Sequence, residues 1–258
     1  MFKDILKIFS GKDKIIELSH RTFNPKMFVS DIHQQKLETV GYVHLTDIQT
    51  NTKPVIRPFL SSFLITENIS SPFGAAFCIN PPNAIHPCNP HQDPAYVDES
   101  TGYSLIVWVP LSDINMENGC LHVLPKSHLW GNKNRSVSMD WAFERFSEEL
   151  WKYLIPIETK LGDLIVFDAA LIHASNKNTT DINRIAVNIP VLPVQEKMIT
   201  YFSSGENEGY QYEIDESFYM DEFLFNKPSD RYRRSKKMKL NNLYSMKDVH
   251  RLIGLSEN

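Results

Sequence analysis

The middle of the chain is a succession of short strand-like runs separated by turn residues, and this pattern limits the folds that the chain can adopt. Proline, asparagine and glycine stand between the runs, as at Pro81–Pro82–Asn83 and Glu117–Asn118–Gly119. Strands with turn signals about every ten residues are typical of an antiparallel sandwich or barrel. The runs are FGAAFCI, YSLIVWVPL, CLHVLP, LIPIET, DLIVFDAALIHA and RIAVNIPVLP.

Two segments outside these runs are predicted to be helical. Ser30 is a candidate N-cap for the segment DIHQQKLETV, and Gly41 can end that helix. Asp140 begins the second segment, DWAFERFSEELWKYL, in which large apolar residues lie close to one helical face. The sequence therefore predicts a mainly-β protein with flanking helices.

Composition excludes several classes of protein. The 258 residues include 27 basic and 31 acidic ones, and the net charge of −4 argues against a general nucleic-acid-binding protein. No apolar run approaches the ~20 residues that span a bilayer. Residues 1–18 are amphipathic and lack the apolar stretch of a secretory signal. Cys78, Cys88 and Cys120 form no CxxC pair, so reduced thiols in a cytoplasmic protein are expected.

Residues 1–258 are interpreted as one domain, because the chain shows no internal repeat and no Pro/Ser-rich linker. The core of this domain is expected at about 30–195. Residues 196–258 form a C-terminal extension that contains an acidic aromatic stretch, EGYQYEIDESFYMDEF, and a basic run, RYRRSKKMK. The extension is a candidate lid or partner-binding segment, and its basic run is expected to be a solvated face.

Two histidines and an aspartate are candidate metal ligands. In a strand, residues i and i+2 project to the same side, so His91 and Asp93 can converge on one point. With His173 they would supply two imidazoles and one carboxylate, a set that suits non-haem Fe(II) because three coordination positions stay open. The His-x-Asp spacing alone is weak evidence, and a surface loop histidine beside prolines is the alternative for His91.

A hairpin hypothesis connects His173 with an arginine. If the strand that ends in LIHAS turns back at NKNTTD into RIAVNIP, His173 faces Arg184 and Ser175 faces Ile182. An arginine inside a barrel is costly unless it is paired, and its own strand offers no acidic residue. A ligand carboxylate held by two parallel hydrogen bonds would supply the missing anion. The alternative is an edge-strand arginine that points to water.

At this level of detail the chain resembles the phytanoyl-CoA dioxygenase superfamily of Fe(II)/2-oxoglutarate-dependent oxygenases, over about residues 30–195. Several short sequence motifs match in the same order as in the family, and this ordered set is far more specific than any one motif. They are the His-x-Asp pair, W-x-x-L-x-D at Trp108 to Asp113, ENGxL at Glu117 to Leu121, P-x-S-H at Pro125 to His128, and H-x-S at His173 followed by Asn178 and Arg184.

The resemblance implies a double-stranded β-helix, which is a jelly-roll barrel, and it implies a site. The cofactor would be Fe(II), with 2-oxoglutarate and O2 as cosubstrates. The implied iron ligands are His91, Asp93 and His173. The implied cosubstrate contacts are Arg184 and Ser175, which hold the far carboxylate, and Trp108, which lines the pocket; Tyr96 is a further candidate for the pocket wall.

The implied activity is hydroxylation of an unactivated C–H bond in a small-molecule metabolite, expected in a biosynthetic pathway, with 2-oxoglutarate and O2 converted to succinate and CO2. The presence of Asp93 favours oxidation over halogenation, since halogenating relatives lack this carboxylate. Desaturation, ring formation and epimerisation are alternatives within the same chemistry. A cupin-like barrel that binds a metal or ligand without turnover, and a protein-interaction domain that uses the acidic aromatic tail, are alternatives of other classes. No nucleic-acid or membrane partner is expected, and the oligomeric state is left open.

Some positions depart from the family pattern or are set aside. Lys126 stands where relatives carry glycine, so a positive φ is not expected there. Asn80 stands where relatives often carry lysine, so any cosubstrate contact from it is expected to be weak. His122 and His128 are interpreted as structural residues of the barrel wall, and His86 as a loop residue.

Overall fold

The structure is a computed structural model. It describes residue 21 and residues 23–46, 60–72, 74–131, 134–205, 208–222, 226–239 and 244–254. The amphipathic start of the chain, residues 1–18, lies outside the described residues. In the part of the chain that the structure describes, every helix falls short of the length and hydropathy that a membrane span requires.

The described residues form mostly antiparallel β-structure with a few short helices. The strands are β1 (Tyr42–Leu45), β2 (Ile69–Ser70), β3 (Ala76–Asn80), β4 (Cys88–His91), β5 (Leu105–Pro110), β6 (Leu121–Val123), β7 (Ile155–Ile157), β8 (Leu164–Asp168), β9 (His173–Ser175), β10 (Arg184–Pro193), β11 (Ile199–Gly205), β12 (Glu208–Glu213) and β13 (Arg233–Lys239). The helices are α1 (Asp31–Val40), α2 (Ser147–Trp151), α3 (Phe218–Asp221) and α4 (Met246–Ile253).

Six strands form a major sheet in the order β1-β8-β5-β10, with β2 and β3 both paired to β10. Alternate side chains of its central strands enter different cores, because successive residues of a strand point to opposite faces. On β5, Leu105 and Val107 pack under α1, whereas Ile106 and Trp108 pack against a second sheet. The central strands are apolar at almost every position because both of their faces are buried.

The second, minor sheet has the order β4-β9-β6-β7. Its inner face supplies Leu121 and Val123 to the core that it shares with the major sheet. Its outer face is covered by the aromatic segment that contains Phe143 and Leu150, and by α4. That segment was predicted as one helix; it forms a 3-10 turn at Glu144–Phe146 followed by α2.

The predicted hairpin, with its pairs His173–Arg184 and Ser175–Ile182, is wrong. β9 pairs with β4 and β6 in the minor sheet, whereas β10 pairs with β2, β3 and β5 in the major sheet. The connection crosses between the sheets because side-chain hydrogen bonds hold it open: Nδ2 of Asn178 donates to the backbone carbonyl at the end of β3 at 3.0 Å and to that of Ile182 at 2.7 Å. These bonds replace the ladder that a hairpin would have formed.

The first predicted helix is α1, and both of its predicted caps are confirmed. The Ser30 hydroxyl accepts a hydrogen bond from the backbone N–H of His33, and Gly41 ends the helix with φ 97°. A Cβ at Gly41 would lie 2.6 Å from Nδ1 of His128 and 2.7 Å from Leu171 Cδ1, so only glycine fits. The expectation for Lys126 is wrong: its φ is 70°, and this conformation lets its N–H reach the carbonyl of Val40 at 2.9 Å.

The C-terminal extension is structured where it is described. β11, β12 and β13 form a separate antiparallel sheet, and the basic run supplies β13 at its edge. α4 begins with a capping box between Ser245 and Asp248 and buries Val249, Leu252 and Ile253 against the aromatic segment. The division into a core and an extension as one domain stays a prediction.

Candidate active site

The minor sheet brings two of the predicted metal ligands together. β4 and β9 pair so that His91 stands directly opposite His173, and their ring centroids are 4.2 Å apart. Asp93 follows two residues after His91 and places Oδ2 3.8 Å from Nε2 of His173. One ligand atom from each of these three residues lies within 4.8 Å of the other two, so the group can hold a metal ion.

Backbone carbonyls fix the orientation of both imidazoles. Nδ1 of His91 lies 2.7 Å from the carbonyl oxygen of Asn89, and Nδ1 of His173 lies 2.9 Å from that of Leu171. A carbonyl only accepts hydrogen bonds, so each Nδ1 carries a proton and each Nε2 is the nitrogen available to a metal. This arrangement is common for metal-binding histidines, because it sets both the tautomer and the ring orientation.

Asp93 is held through its backbone, while its carboxylate stays available. Its N–H donates to the carbonyl of Ala169 at 3.0 Å, and its own carbonyl accepts from Nε of Arg135 at 2.9 Å. Arg135 is itself fixed by two hydrogen bonds to the buried Glu99, at 2.7 and 2.8 Å. Oδ2 of Asp93 is buried and has no hydrogen-bond partner among the described residues, as expected for an oxygen that a cation would complete.

The two imidazoles differ in their pKa. Burial lowers the pKa of His173 to about 4, and the charge of His91 adds to this effect against the attraction of Asp93. Burial also lowers the pKa of His91, but Cys88 and Asp93 outweigh it and raise that pKa to about 9. His173 is therefore neutral at physiological pH, which is the form that donates its lone pair to a metal.

Arg184 is a buried cation in the wall of the same cavity. Its side chain donates to the Ser175 hydroxyl at 3.2 Å and to the backbone carbonyl of Cys78 at 3.3 Å. Burial lowers the pKa of Arg184, and its Nε finds no hydrogen-bond partner among the residues that the structure describes. Among the described residues no carboxylate pairs with it, so the guanidinium can accept an anion from a ligand.

One cavity of about 630 Å³ connects the histidines with this arginine. Five of the six predicted site residues line it: His91, Trp108, His173, Ser175 and Arg184. Asp93, the sixth, lines an adjoining cavity of about 260 Å³, which it shares with His91 and Arg135. The structure thus brings the six together although the predicted hairpin does not exist.

The remaining residues named from the sequence lie at the rim of the cavity, are engaged by the backbone, or lie outside the cavity. His86 lies on the exposed rim of the cavity, and Nδ2 of Asn80 is engaged by the carbonyl of Asn176 at 2.8 Å. His122 and His128 hydrogen-bond to backbone carbonyls at 3.1 Å, in agreement with the structural role expected for them. Tyr96 packs against Tyr219 of the extension, with ring centroids 5.9 Å apart, and does not line the larger cavity.

Neither Arg135 nor Glu99 was predicted from the sequence at this site. Arg135 and Glu99 are 36 residues apart and belong to no motif, so only the folded chain reveals their pairing. Asn188 lies on β10, two strand positions beyond Ala186, and turns the same face to the cavity as Arg184. The strand alternation in the sequence predicts this position of Asn188, since it places residues 184, 186 and 188 on one face.

The fold and the site define a jelly-roll protein with a His-Asp-His group that can hold a metal ion. Two solved structures share this fold: the non-heme alpha ketoglutarate dependent carbocyclase SnoK from nogalamycin biosynthesis, and the epimerase SnoN in complex with Fe3+, alpha ketoglutarate and nogalamycin RO. SnoK matches with a TM-score of 0.52 and 15% identity over 66% of this chain and 86% of its own. SnoN matches with a TM-score of 0.51 and 16% identity over 81% and 94%. These likenesses confirm the predicted fold.

The chain belongs to the phytanoyl-CoA dioxygenase (PhyH) family, whose model matches residues 20–186. Phytanoyl-CoA dioxygenase 1 of Oryza sativa subsp. japonica is 33% identical over 109 residues, which are 41% of this chain and 39% of the rice protein. The matched part thus spans about two fifths of that relative's length. The resemblance found in the sequence is confirmed.

Proposed function

We propose that the protein is an Fe(II)/2-oxoglutarate-dependent dioxygenase that hydroxylates an unactivated C–H bond of a small-molecule metabolite. One observation carries this proposal. Two histidines of a group that can hold a metal ion line one cavity with a buried arginine that has no acidic partner among the described residues. Membership of the PhyH family supports the class of reaction.

The side chains fit iron. His91, Asp93 and His173 would supply two imidazole nitrogens and one carboxylate, the ligand set that suits non-haem Fe(II), with His91 losing a proton when the metal binds. Oδ2 of Asp93 is buried and accepts no hydrogen bond from the described residues, so a cation would fit beside it. The ring of Phe167 packs against that of His173, with ring centroids 4.8 Å apart, and limits the positions that this imidazole can take.

The other end of the cavity fits the far carboxylate of 2-oxoglutarate. Arg184 would bind that carboxylate with two N–H groups, and the hydroxyl of Ser175 would add a third hydrogen bond. Trp108 lines the cavity and confines the cosubstrate. When bound, iron and 2-oxoglutarate supply the oxidising power, since 2-oxoglutarate and O2 give succinate and CO2 while one oxygen atom passes to the substrate.

Formation of succinate tests the proposal. Purified protein with Fe(II), ascorbate and 2-oxoglutarate is incubated with a panel of metabolites, and succinate and oxidised product are measured together. The substitution Asp93→Ala is expected to abolish both, because the metal would lose its one carboxylate ligand. The matched control is Asp181→Ala, which removes an exposed carboxylate near the cavity and is expected to change nothing.

Two outcomes would contradict the proposal. Full activity of Asp93→Ala would mean that the three side chains do not hold the iron. Tight iron and 2-oxoglutarate binding without succinate from any member of the panel would instead favour a binding module of the cupin type. Analysis of the product distinguishes hydroxylation from desaturation, ring formation and epimerisation.

A further inference from the structure

The charge of the cavity wall indicates which class of substrate fits, and this inference rests on the proposed function. Among the described residues that line the 630 Å³ cavity, Arg184 is the one lysine, arginine, aspartate or glutamate. The far carboxylate of 2-oxoglutarate would neutralise it. The charged residues of the adjoining cavity are Asp93, which iron would neutralise, Arg135, which is paired with Glu99, and the exposed Asp140. Once iron and the cosubstrate are bound, the described wall of the 630 Å³ cavity offers no lysine, arginine or carboxylate to a further ligand.

The rest of the wall is mostly apolar. The end of β3 contributes Ile79, and the segment between β3 and β4 contributes Pro81, Pro82, Ala84, Ile85 and Pro87. Ile79 is 59% exposed and Ile85 is 83% exposed, so apolar side chains continue from the cavity to its rim. An exposed apolar surface that is continuous with a cavity is typical of a ligand-binding site.

One neutral polar group of the wall is without a partner. Oδ1 of Asn188 is buried and has no hydrogen bond among the described residues, and the side chain lines the cavity beside Trp108, its partner across the β5–β10 ladder. A carboxamide both donates and accepts, so it can hydrogen-bond a hydroxyl or an amide in either orientation. It does so without supplying a charge.

We propose that the substrate is an uncharged, mostly apolar molecule that carries a hydroxyl or amide group. A carboxylate or an ammonium group that entered this cavity would lose its hydration and gain no ion pair, which is strongly unfavourable. An acyl-CoA thioester would need cations for its phosphates. A groove that shares Ile85 and Pro87 with the cavity adds one cation among its described residues, the exposed Lys177. Carboxylates, amines and CoA thioesters are therefore poor ligands of this site.

Matched probes that differ only in charge test this inference. The protein is loaded with Fe(II) and 2-oxoglutarate under argon, where no turnover occurs, and titrated by calorimetry with 1-octanol, octanoate and octylamine, and with benzyl alcohol, benzoate and benzylamine. In at least one set the alcohol is expected to bind at least about tenfold more tightly than both of its charged counterparts at pH 7.5. If no alcohol binds more tightly than its counterparts, the inference is wrong.

Two lysine variants provide the control. Ile85→Lys places a cation at the rim, and octanoate is expected to bind it about threefold or more tightly than it binds the wild type. Ile182→Lys places the same charge at another exposed isoleucine, 62% exposed and not among the lining residues, and is expected to leave octanoate binding unchanged. Equal responses of the two variants would contradict a role of the rim in selecting charge.

The titration of 2-oxoglutarate itself separates the two proposals. A protein that fails to bind Fe(II) and 2-oxoglutarate would overturn the proposed function. A protein that binds both and prefers octanoate or octylamine would overturn only the inference about the substrate.

Discussion

Arg184 is held by neutral acceptors, a hydroxyl and a backbone carbonyl, although it is buried. Such an arrangement leaves the positive charge of the guanidinium uncompensated, and a buried charge without a partner destabilises the protein. A buried charge of this kind is useful where a ligand of opposite charge binds to it, since the charge then stabilises the complex. The residue is therefore the natural place to test cosubstrate binding separately from iron binding.

Substituting Arg184→Ala is expected to weaken 2-oxoglutarate binding about tenfold to a hundredfold, because a charge-assisted hydrogen-bond pair contributes about 1.5–3 kcal/mol. The affinity for iron is expected to stay the same, since Arg184 contacts none of its proposed ligands. Calorimetric titrations of iron and of 2-oxoglutarate measure both effects. The control is Arg251→Ala, which removes a partly exposed arginine of α4. An unchanged 2-oxoglutarate affinity in Arg184→Ala would refute the anchoring role.

Single residues also show where prediction from the sequence ends. His91, Asp93 and His173 could be predicted as a group because their types and spacing match what a metal needs, and the structure brings them within 4.8 Å of one another. Arg135 could not, because it acts through the backbone carbonyl of Asp93 and any residue type can offer a carbonyl. The left-handed conformation of Lys126 was missed for a related reason: a tertiary hydrogen bond to α1 holds it, and intrinsic preference does not.

Among the elements, α1 and the turn that follows β6 depend on each other. Nε2 of His128, in that turn, donates to the carbonyl of Glu38 in α1 at 3.1 Å, and the ring occupies the space left free by Gly41. Burial lowers the pKa of His128 to about 3, and the nearby charge of Arg21 adds to this effect. Nδ1 of His128 is buried without a hydrogen-bond partner among the described residues, so the folded protein favours the neutral imidazole with its proton on Nε2.

The free energy of unfolding is expected to fall as the pH falls from about 6.5 towards 3. Below about 6.5 the unfolded chain binds a proton on His128 that the folded chain does not bind, so acid favours unfolding by up to about 1.4 kcal/mol per pH unit. Urea denaturation at several pH values measures the slope. His128→Gln is expected to be less stable at pH 7 and to show a shallower slope. The control His33→Gln, on α1, is expected to keep the wild-type slope, and equal slopes in both variants would contradict the assignment.

Strands were predictable as segments but their partners were not. The alternation of apolar residues located the runs, and turn residues located the gaps between them. Pairing depends on contacts between distant parts of the chain, and β9 pairs with β4, more than 80 residues earlier, and with β6, about 50 residues earlier. The hairpin hypothesis failed because it assumed that neighbours in sequence are neighbours in the sheet.

In the whole molecule, α4 covers the outer side of the strand that carries His173. Ala174 of β9 contacts the aromatic core on that side, while His173 and Ser175 face the cavity on the other. The last described helix of the chain therefore supports the site from behind. The extension was expected as a lid or partner segment; its helix is part of the protein's packing, and a lid role for its other elements stays a prediction.

Ile253→Ala, which truncates a side chain that is 3% exposed, is expected to lower the free energy of unfolding by about 2–4 kcal/mol, because it leaves a cavity against the aromatic core. Met246→Ala, on the same helix but 40% exposed, is expected to change it by less than about 1 kcal/mol. Chemical denaturation of the two variants measures the difference. Equal losses would show that α4 is not docked as described.

The division of the site between two sheets has a consequence for the cosubstrate. The proposed iron ligands belong to the minor sheet or follow its strand β4, whereas the guanidinium that would hold the far carboxylate extends from the major sheet. The distance between the sheets would therefore determine the length of the dicarboxylate that fits. The side chains packed between the sheets, Trp108 and Phe167 among them, set this distance. Replacing one of these rings with a smaller side chain would change the length of the 2-oxo diacid that binds, although neither ring bears a charge.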